Sequence, residues 1–358
     1  MVVVGADVHK RTHTFVAVDE VGRELGHRTF PATTAGHLDA VRWARQKFGD
    51  ELRWAIEDCR HLSARLERDL LTAGHAVVRV PPKMMAEQRR IARTRGKSDP
   101  IDALAVARAA LRQPDLPVAS HDEASRQLKL LVDRREDLVR QRTSTINRLL
   151  WRVHELDPSW APPARSLDLA KQQQALLTRL EGVPGDGVPG LVAELARDEL
   201  ADVIELTARI NALETRIRPL VVAAAPTLLA LPGVGALTAA KLVGEAAGIG
   251  RFKSEAAFAR HAGIAPIPVW SGNTAGRVRL TRSGNRQLNA AIHRIAVTQI
   301  RLDGLGKAYY EKKKAEGMST PEALRCLKRR LVRIVFNTLK TDNNTVKTRP
   351  GDLLPAAA

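Results

Sequence analysis

Aromatic side chains are scarce: Phe, Trp and Tyr make up only 4% of the 358 residues, too few for base-stacking platforms to be the main binding device. Cysteine is nearly absent. Cys59 and Cys326 stand far apart without CxxC spacing, which supports neither a zinc site nor a disulfide framework. Cys59 reads as a small buried hydrophobe rather than a nucleophile. No apolar run approaches membrane-spanning length, and the start, Met1-Val-Val-Val-Gly-Ala-Asp7, lacks the basic n-region of a signal peptide. No membrane partner and a cytoplasmic location are therefore expected. Acid is in deficit as well: 39 Asp and Glu face 57 Lys and Arg, for a formal net charge of +18. That balance favours a polyanionic partner, nucleic acid first.

What remains is a globular chain, 44% hydrophobic, long enough for two or three domains. Its first 120 residues alternate short strands and helices. Strands are predicted at Val2–Val4, Thr14–Asp19, Glu24–Phe30, Arg53–Glu57 and His75–Val80, with helices over 35–48, 62–73 and 101–111, the first capped at Thr33 or Thr34. Strand-strand-strand-helix-strand-helix-strand is the order of a ribonuclease-H-like (RuvC-like) mixed α/β sheet. Asp7 and Glu57 each end an apolar run, and Asp99 and Asp102 lie at or just inside a helix start, three apart and so on one face. Asp99-Pro100 suits that place, since the acid can cap and proline is tolerated in a first turn. Asp58 is set aside because strand alternation turns it away from the face of Glu57. Hard oxygens converging from separate elements are what phosphodiester chemistry with Mg²⁺ requires, two ions per site in the usual arrangement, with Mn²⁺ able to substitute. Lys10 and Lys97 flank the acids, either as phosphate contacts or as solvated surface.

Two long charged helices follow, over 123–155 and 191–222, separated by Pro/Gly-rich breaks at 158–163 and 182–190. Their intermittent apolar stripes predict an antiparallel coiled coil or bundle that touches a nucleic-acid backbone or a second protomer; an ordinary solvated helix pair is the plainer reading.

Near Pro226 the composition changes again. Leu231-Pro-Gly233-Val-Gly235, with Lys241 beyond it, has the glycine pattern of a helix-hairpin-helix, in which backbone amides approach phosphate at a helix start. A Gly/Ser/Arg-rich stretch runs from Pro268 to Arg286. Ser271, next to Gly272, can protrude from it, and Arg277, Arg279, Arg282 and Arg286 can hold phosphates bidentately; a basic loop with incidental serines is the alternative. No Ser/His/Asp triad spacing is present, so a hydroxyl here needs activation from elsewhere, such as a metal. The expected division is a catalytic domain over 1–120, a helical linker and dimerisation region over 121–224, a C-terminal helical domain over 225–345 and a tail over 346–358.

These motifs together make the chain resemble one family. Asp7-Val-His-Lys10, the Glu57 strand end, Lys97-Ser-Asp-Pro-Ile-Asp102-Ala, Leu231-Pro-Gly-Val-Gly235 and Ser271-Gly272 through Arg286-Gln-Leu-Asn289 look like insertion-sequence transposases with an N-terminal RuvC-like DEDD domain and a C-terminal serine domain, the bridge-RNA-guided recombinases. The resemblance spans about residues 1–340. It implies Asp7, Glu57, Asp99 and Asp102 as metal ligands and Ser271 as a nucleophile that forms a phosphoserine link to DNA. It also implies a composite site drawn from two protomers of a dimer or tetramer, acting on element ends and target DNA, with a structured noncoding guide RNA as partner. Trp270 departs from the family, where another serine or a smaller residue often precedes the nucleophile. Ser283 stays a rival, in an Arg-Ser-Gly-Asn setting that suits a turn or helix cap. Two other functions compete: a metal-dependent nuclease that resolves Holliday junctions with water as nucleophile, and a nonenzymatic architectural protein. The last leaves four acids facing a polyanion without a purpose.

Overall fold

Period-two alternation organises the first part of the chain. The computed structural model describes residues 1–58, 60–91, 98–113, 116, 118–120, 122–276, 278–280 and 284–347. The chain divides into two compact units, 1–122 with 250–253 and 123–249 with 254–358.

The first unit runs β1 (Val2–Val8), β2 (Thr12–Val18), β3 (Glu24–Pro31), α1 (Thr34–Phe48), β4 (Leu52–Glu57), α2 (Arg60–Thr72), β5 (Ala76–Val80), α3 (Pro82–Ile91) and α4 (Asp99–Arg112). Its sheet has the order β3-β2-β1-β4-β5. The first three strands pair antiparallel, and β4 and β5 join in parallel. This is the ribonuclease-H-like mixed sheet that the element order predicts. One face, with Val4, Ala6, Phe15, Trp54 and Ile56, packs under α1 and α2. The other, with Val3, Val16, Ala55 and Val78, lies under α4 through Ala103, Val106 and Ala107. Thr33 caps α1, its hydroxyl accepting from the Gly36 amide, as the sequence suggests. One helix goes unanticipated and one local expectation fails. β5 ends at Val80, ahead of Pro81-Pro82, and Pro82 starts α3, where its missing N–H and preset φ do no harm. The N-cap of α4 is the extended Ser98, and Asp99 is the first helical residue rather than the cap.

The second unit is mostly helical: α5 (Glu123–Leu156), α6 (Ala170–Glu181), α7 (Gly187–Ala224), α8 (Pro226–Leu229), α9 (Ala236–Ala246), α10 (Glu255–His261), the short strands β6 (Pro266–Pro268) and β7 (Val278–Leu280), then α11 (Arg286–Gln299), α12 (Leu305–Ala315) and α13 (Thr320–Lys347). The long pair α5 and α7 is antiparallel: Arg135 reaches Glu214, Arg142 reaches Thr207 and Arg152 reaches Glu199. Along α7 the buried positions Ala196, Leu200, Val203, Thr207 and Ile210 recur at alternating spacings of four and three, the period of a seam against a partner helix. Helix α6 stands between the two anticipated breaks, in residues to which the sequence reading assigns no element, and it closes the far end of this pair through Leu176 and Leu180.

Candidate active site

Alternation decides which side chains meet at the edge of the sheet. Along β1, Val4, Ala6 and Val8 enter the core beneath α1 and α2, so Val3, Gly5 and Asp7 face α4. Along β4, Leu52, Trp54 and Ile56 do the same, which leaves Ala55 and Glu57 on the α4 side. Ala6 lies beside Ile56 in the parallel ladder, so Asp7 and Glu57 follow as neighbouring strand ends on one face. Asp58 turns the other way: its charge acts on Arg79, which is bonded to Glu67 of α2, in keeping with its being set aside.

Gly5 lets α4 come down onto this face. A Cβ there would lie 2.3 Å from the Ala103 carbonyl oxygen and 2.5 Å from the Ala107 nitrogen, closer than any side chain allows. The first turn of α4 therefore rests beside Asp7. His9 Nε2 is 2.9 Å from Asp7 Oδ2 and 3.4 Å from Asp99 Oδ1, and ligand atoms of Asp7, His9 and Asp99 all lie within 4.8 Å of one another. Asp102, only 8% exposed, sits one turn further along α4. Burial pushes the Asp7 carboxyl above the ordinary aspartate range, His9 pulls it back by charge and hydrogen bond, and the charges of Asp102 and Asp99 push it up again. Carboxylates crowded in this way are stabilised by a divalent cation, whose hard-oxygen preference their donor set fits. The sequence reading leaves His9 out of the site. Its signal is its place two residues after Asp7, hence on the same side of an extended chain.

In the second unit β6 and β7 pair as a hairpin, and Gly263 and Gly284 on either side of it come together at one point. The Asn285 amide donates to the His261 carbonyl at 2.6 Å, and Asn289 Nδ2 donates to the carbonyls of Ala262 and Gly263 at 3.1 Å each. A Cβ on Gly284 would fall 2.2 Å from Gly263 Cα, so two bare glycines make the neck. Asn285 Nδ2 also donates to the buried Glu245 of α9 at 2.7 Å, and that carboxylate holds Lys129 of α5 at 2.6 Å. Beyond the β6–β7 pairing, where Ile267 faces Arg279, comes an exposed tip carrying Trp270 and Ser271. Gly272 and Gly276 turn it with φ of 48° and 83°, values that favour glycine. Arg279 lines a groove of about 1630 Å³ together with Arg325 and Arg330. Arg277, Arg282 and the rival Ser283 fall outside the described residues.

The remaining predicted contacts are placed as follows. Lys10 is exposed at the end of β1, Arg286 is exposed at the start of α11, and Lys97 is outside the described residues. Gly233 has φ of 80° and packs against α11, where a Cβ would lie 3.3 Å from the Ile295 carbonyl. Gly235 is the N-cap of α9, exposed, with nothing near its open side. Lys241 does not face solvent: it is 6% exposed and donates to Glu136 of α5 at 2.6 Å. Its position in α9 turns it toward α5, so it is corrected from phosphate contact to packing ion pair.

A family model for transposases of the IS110 DEDD type matches residues 4–156, and one for the transposase IS116/IS110/IS902 family matches residues 225–311. The chain belongs to the IS110/IS116 transposase family. It is thus an enzyme that cuts and recombines DNA. Relatives of this transposase include the insertion element IS116 uncharacterized 44.8 kDa protein of Streptomyces clavuligerus, 28% identical with 94% of each chain covered. The insertion element IS900 uncharacterized 42 kDa protein of Mycobacterium paratuberculosis is 26% identical, over 94% of this chain and 95% of its own. Among solved structures, Thermus thermophilus RuvC in complex with a Holliday junction substrate matches 33% of the transposase and 99% of its own chain, at 15% identity and a TM-score of 0.27. The strand order, rather than this low score, carries the fold assignment. No described helix of the transposase is long and apolar enough to cross a membrane.

Proposed function

We propose that this transposase cuts and exchanges DNA strands at the ends of its own insertion sequence by metal-assisted attack of a serine. The observation that supports it most is the convergence on one face of the sheet of Asp7, Glu57 and the first turn of α4 with Asp99 and Asp102. In this reading those four acids hold Mg²⁺, two ions per site with Mn²⁺ able to substitute, and the metal supplies charge neutralisation at the attacked phosphate. His9 orients Asp7 by the hydrogen bond at Nε2, with Asp99 Oδ1 3.4 Å from the same nitrogen. Ser271 is the nucleophile: its oxygen bonds to phosphorus as the bond to a deoxyribose oxygen breaks. The hydroxyl proton is lost and the departing oxygen gains one, so the exchange is balanced, reversible and independent of ATP. The exposed tip and the arginines of the hairpin support this role, with Arg279 and Arg286 as phosphate contacts.

Lys10 in the first unit and, in the second, the Gly235 turn of a helix-hairpin-helix, Arg277 and Arg282 are further DNA contacts in this reading. The guide RNA rests on the family resemblance and on the +18 charge. A dimer or tetramer rests on the family resemblance, and the exposed Trp151 and Leu191 of the long helix pair are compatible with it.

A Holliday-junction-resolving nuclease with water as nucleophile is the second reading, favoured by the same acidic face. Ser271→Ala separates the two. A recombinase loses its covalent protein–DNA adduct and strand joining, whereas a hydrolase goes on cutting; strand joining by Ser271→Ala would remove the serine from the mechanism. Sequencing RNA that copurifies with the protein expressed beside its flanking DNA tests the guide, and an absence of element-encoded RNA counts against it.

A further inference from the structure

The neck of the serine hairpin opens into a pocket of about 410 Å³ lined by Gly263, Gly284, Arg286, Asn289, His293 and Lys328. With Ala290 these make seven lining residues, of which three are basic and none is acidic. Lys328, on α13, donates from Nζ to Asn289 Oδ1 at 2.6 Å. The amide nitrogen of the same Asn289 is tied to the Ala262 and Gly263 carbonyls, so the lysine is aimed by the neck itself. The other inward-turned lysines of this unit, Lys129 and Lys241, each hold a glutamate at 2.6 Å. Among the described residues no carboxylate pairs with Lys328, His293 or Arg286. Burial pulls Lys328 below the ordinary lysine range, and burial together with the Lys328 charge pulls His293 down. A half-buried cation without a counter-ion costs stability, and such groups mark places where an anion comes from outside.

We propose that this neck pocket seats one backbone phosphate of the DNA strand, gripped by Lys328 and Arg286 from two helices. A phosphodiester offers one charge and several acceptor oxygens, which suits a lysine point charge beside an arginine fork. Contacts of this kind set the register of a strand without reading its sequence. Held at the neck, the phosphate fixes how far along the strand the hairpin tip reaches. The inference rests on the DNA-recombinase reading and adds to it a contact on α13.

The test uses the full-length protein and a short fluorescein-labelled duplex, with affinity measured by anisotropy across a salt series. Lys328→Gln should weaken binding about tenfold and flatten the slope of log affinity against log salt by about 0.9, the share of one phosphate. Lys328→Arg should keep both, and Lys340→Gln, an exposed lysine further along α13, should leave the slope as it is. In a second arm, inorganic phosphate should raise the thermal midpoint of the wild type and not that of Lys328→Gln, whose own midpoint should match or exceed the wild type. If Lys328→Gln does not fold, Lys328→Met, which keeps the packing of the stem, replaces it in both arms. An unchanged salt slope, or equal stabilisation of both proteins by phosphate, overturns the pocket. A wild type that ignores DNA would sink the recombinase reading instead, and the phosphate arm would still decide the pocket.

Discussion

In the first unit the side chains proposed for chemistry ride on strand ends and a helix start whose places are set by close packing, with Gly5 pressed against Ala103 and Ala107 of α4. In the second, Ser271 rides on the exposed tip of a hairpin whose neck is pinned by Asn285, Asn289 and the Gly263–Gly284 contact. A carboxylate set must converge on one small volume before any substrate arrives, and a packed core holds it there against its own repulsion. A nucleophile that must reach a phosphate on a large flexible partner gains from projecting. The difference teaches that backbone change is intolerable across the acidic face, and in the hairpin intolerable only at the root.

Breaking the acidic side should have the largest effect. Asp7→Asn is expected to lower metal-dependent DNA cleavage more than about 100-fold, beyond what loss of an outer-shell partner costs, while its thermal midpoint stays level or rises because a buried charge is removed. Cleavage by Asp7→Asn at the wild-type rate would take metal chemistry away from this face. Next, Gly5→Ala should destabilise the protein by about 3 kcal/mol, the upper end of overpacking, and reduce cleavage as α4 lifts. The matching change at the hairpin tip, Gly272→Ala, has open space around it and should cost only about 1 kcal/mol for its left-handed backbone. Denaturant titration of the pair measures the contrast directly; equal losses would abolish it.

A smaller effect concerns pH. His13, 2% exposed, is pulled down to about 4 by burial and by neighbouring His37. Its Nδ1 accepts from the His9 amide, a bond that protonation there would break. The unfolded chain takes up this proton near pH 6.5 and the fold resists until about 4. Stability from this group is therefore complete above the first value and lost as pH falls through the second. Urea midpoints of His13→Gln should fall less steeply across that window than those of the wild type. The smallest change is expected from Lys241→Met, which should leave DNA affinity unaltered and shift stability within about 1 kcal/mol, as for other ion pairs with one wetted partner.

How far the sequence reveals these regions follows from the same contrast. The sheet is legible because its central strands are short apolar runs buried on both faces, and Asp7 and Glu57 inherit their common face from the way side chains alternate along a strand. The seam of α5 and α7 is legible from apolar spacing, although α7 begins at Gly187, ahead of the expected start, because the glycines there read as a break. Helix α6 hides behind its Gln-rich stretch, and α3 behind Pro81-Pro82. His9, Gly5 and the inward turn of Lys241 are tertiary facts: each depends on what a distant element places opposite, which local pattern does not encode. The hairpin is visible only as a composition of glycine, serine and arginine, and its neck depends on Asn285 and Asn289 finding carbonyls and a carboxylate far along the chain.

That root has one more consequence. A segment that departs from and rejoins its scaffold at a single spot can be lengthened, trimmed or swapped for the counterpart from a relative while α10 and α11 keep their seats. Residues 264–284 are thus the natural cassette for grafting, and chimaeras cut at Gly263 and Gly284 should inherit the donor's reach without a new fold.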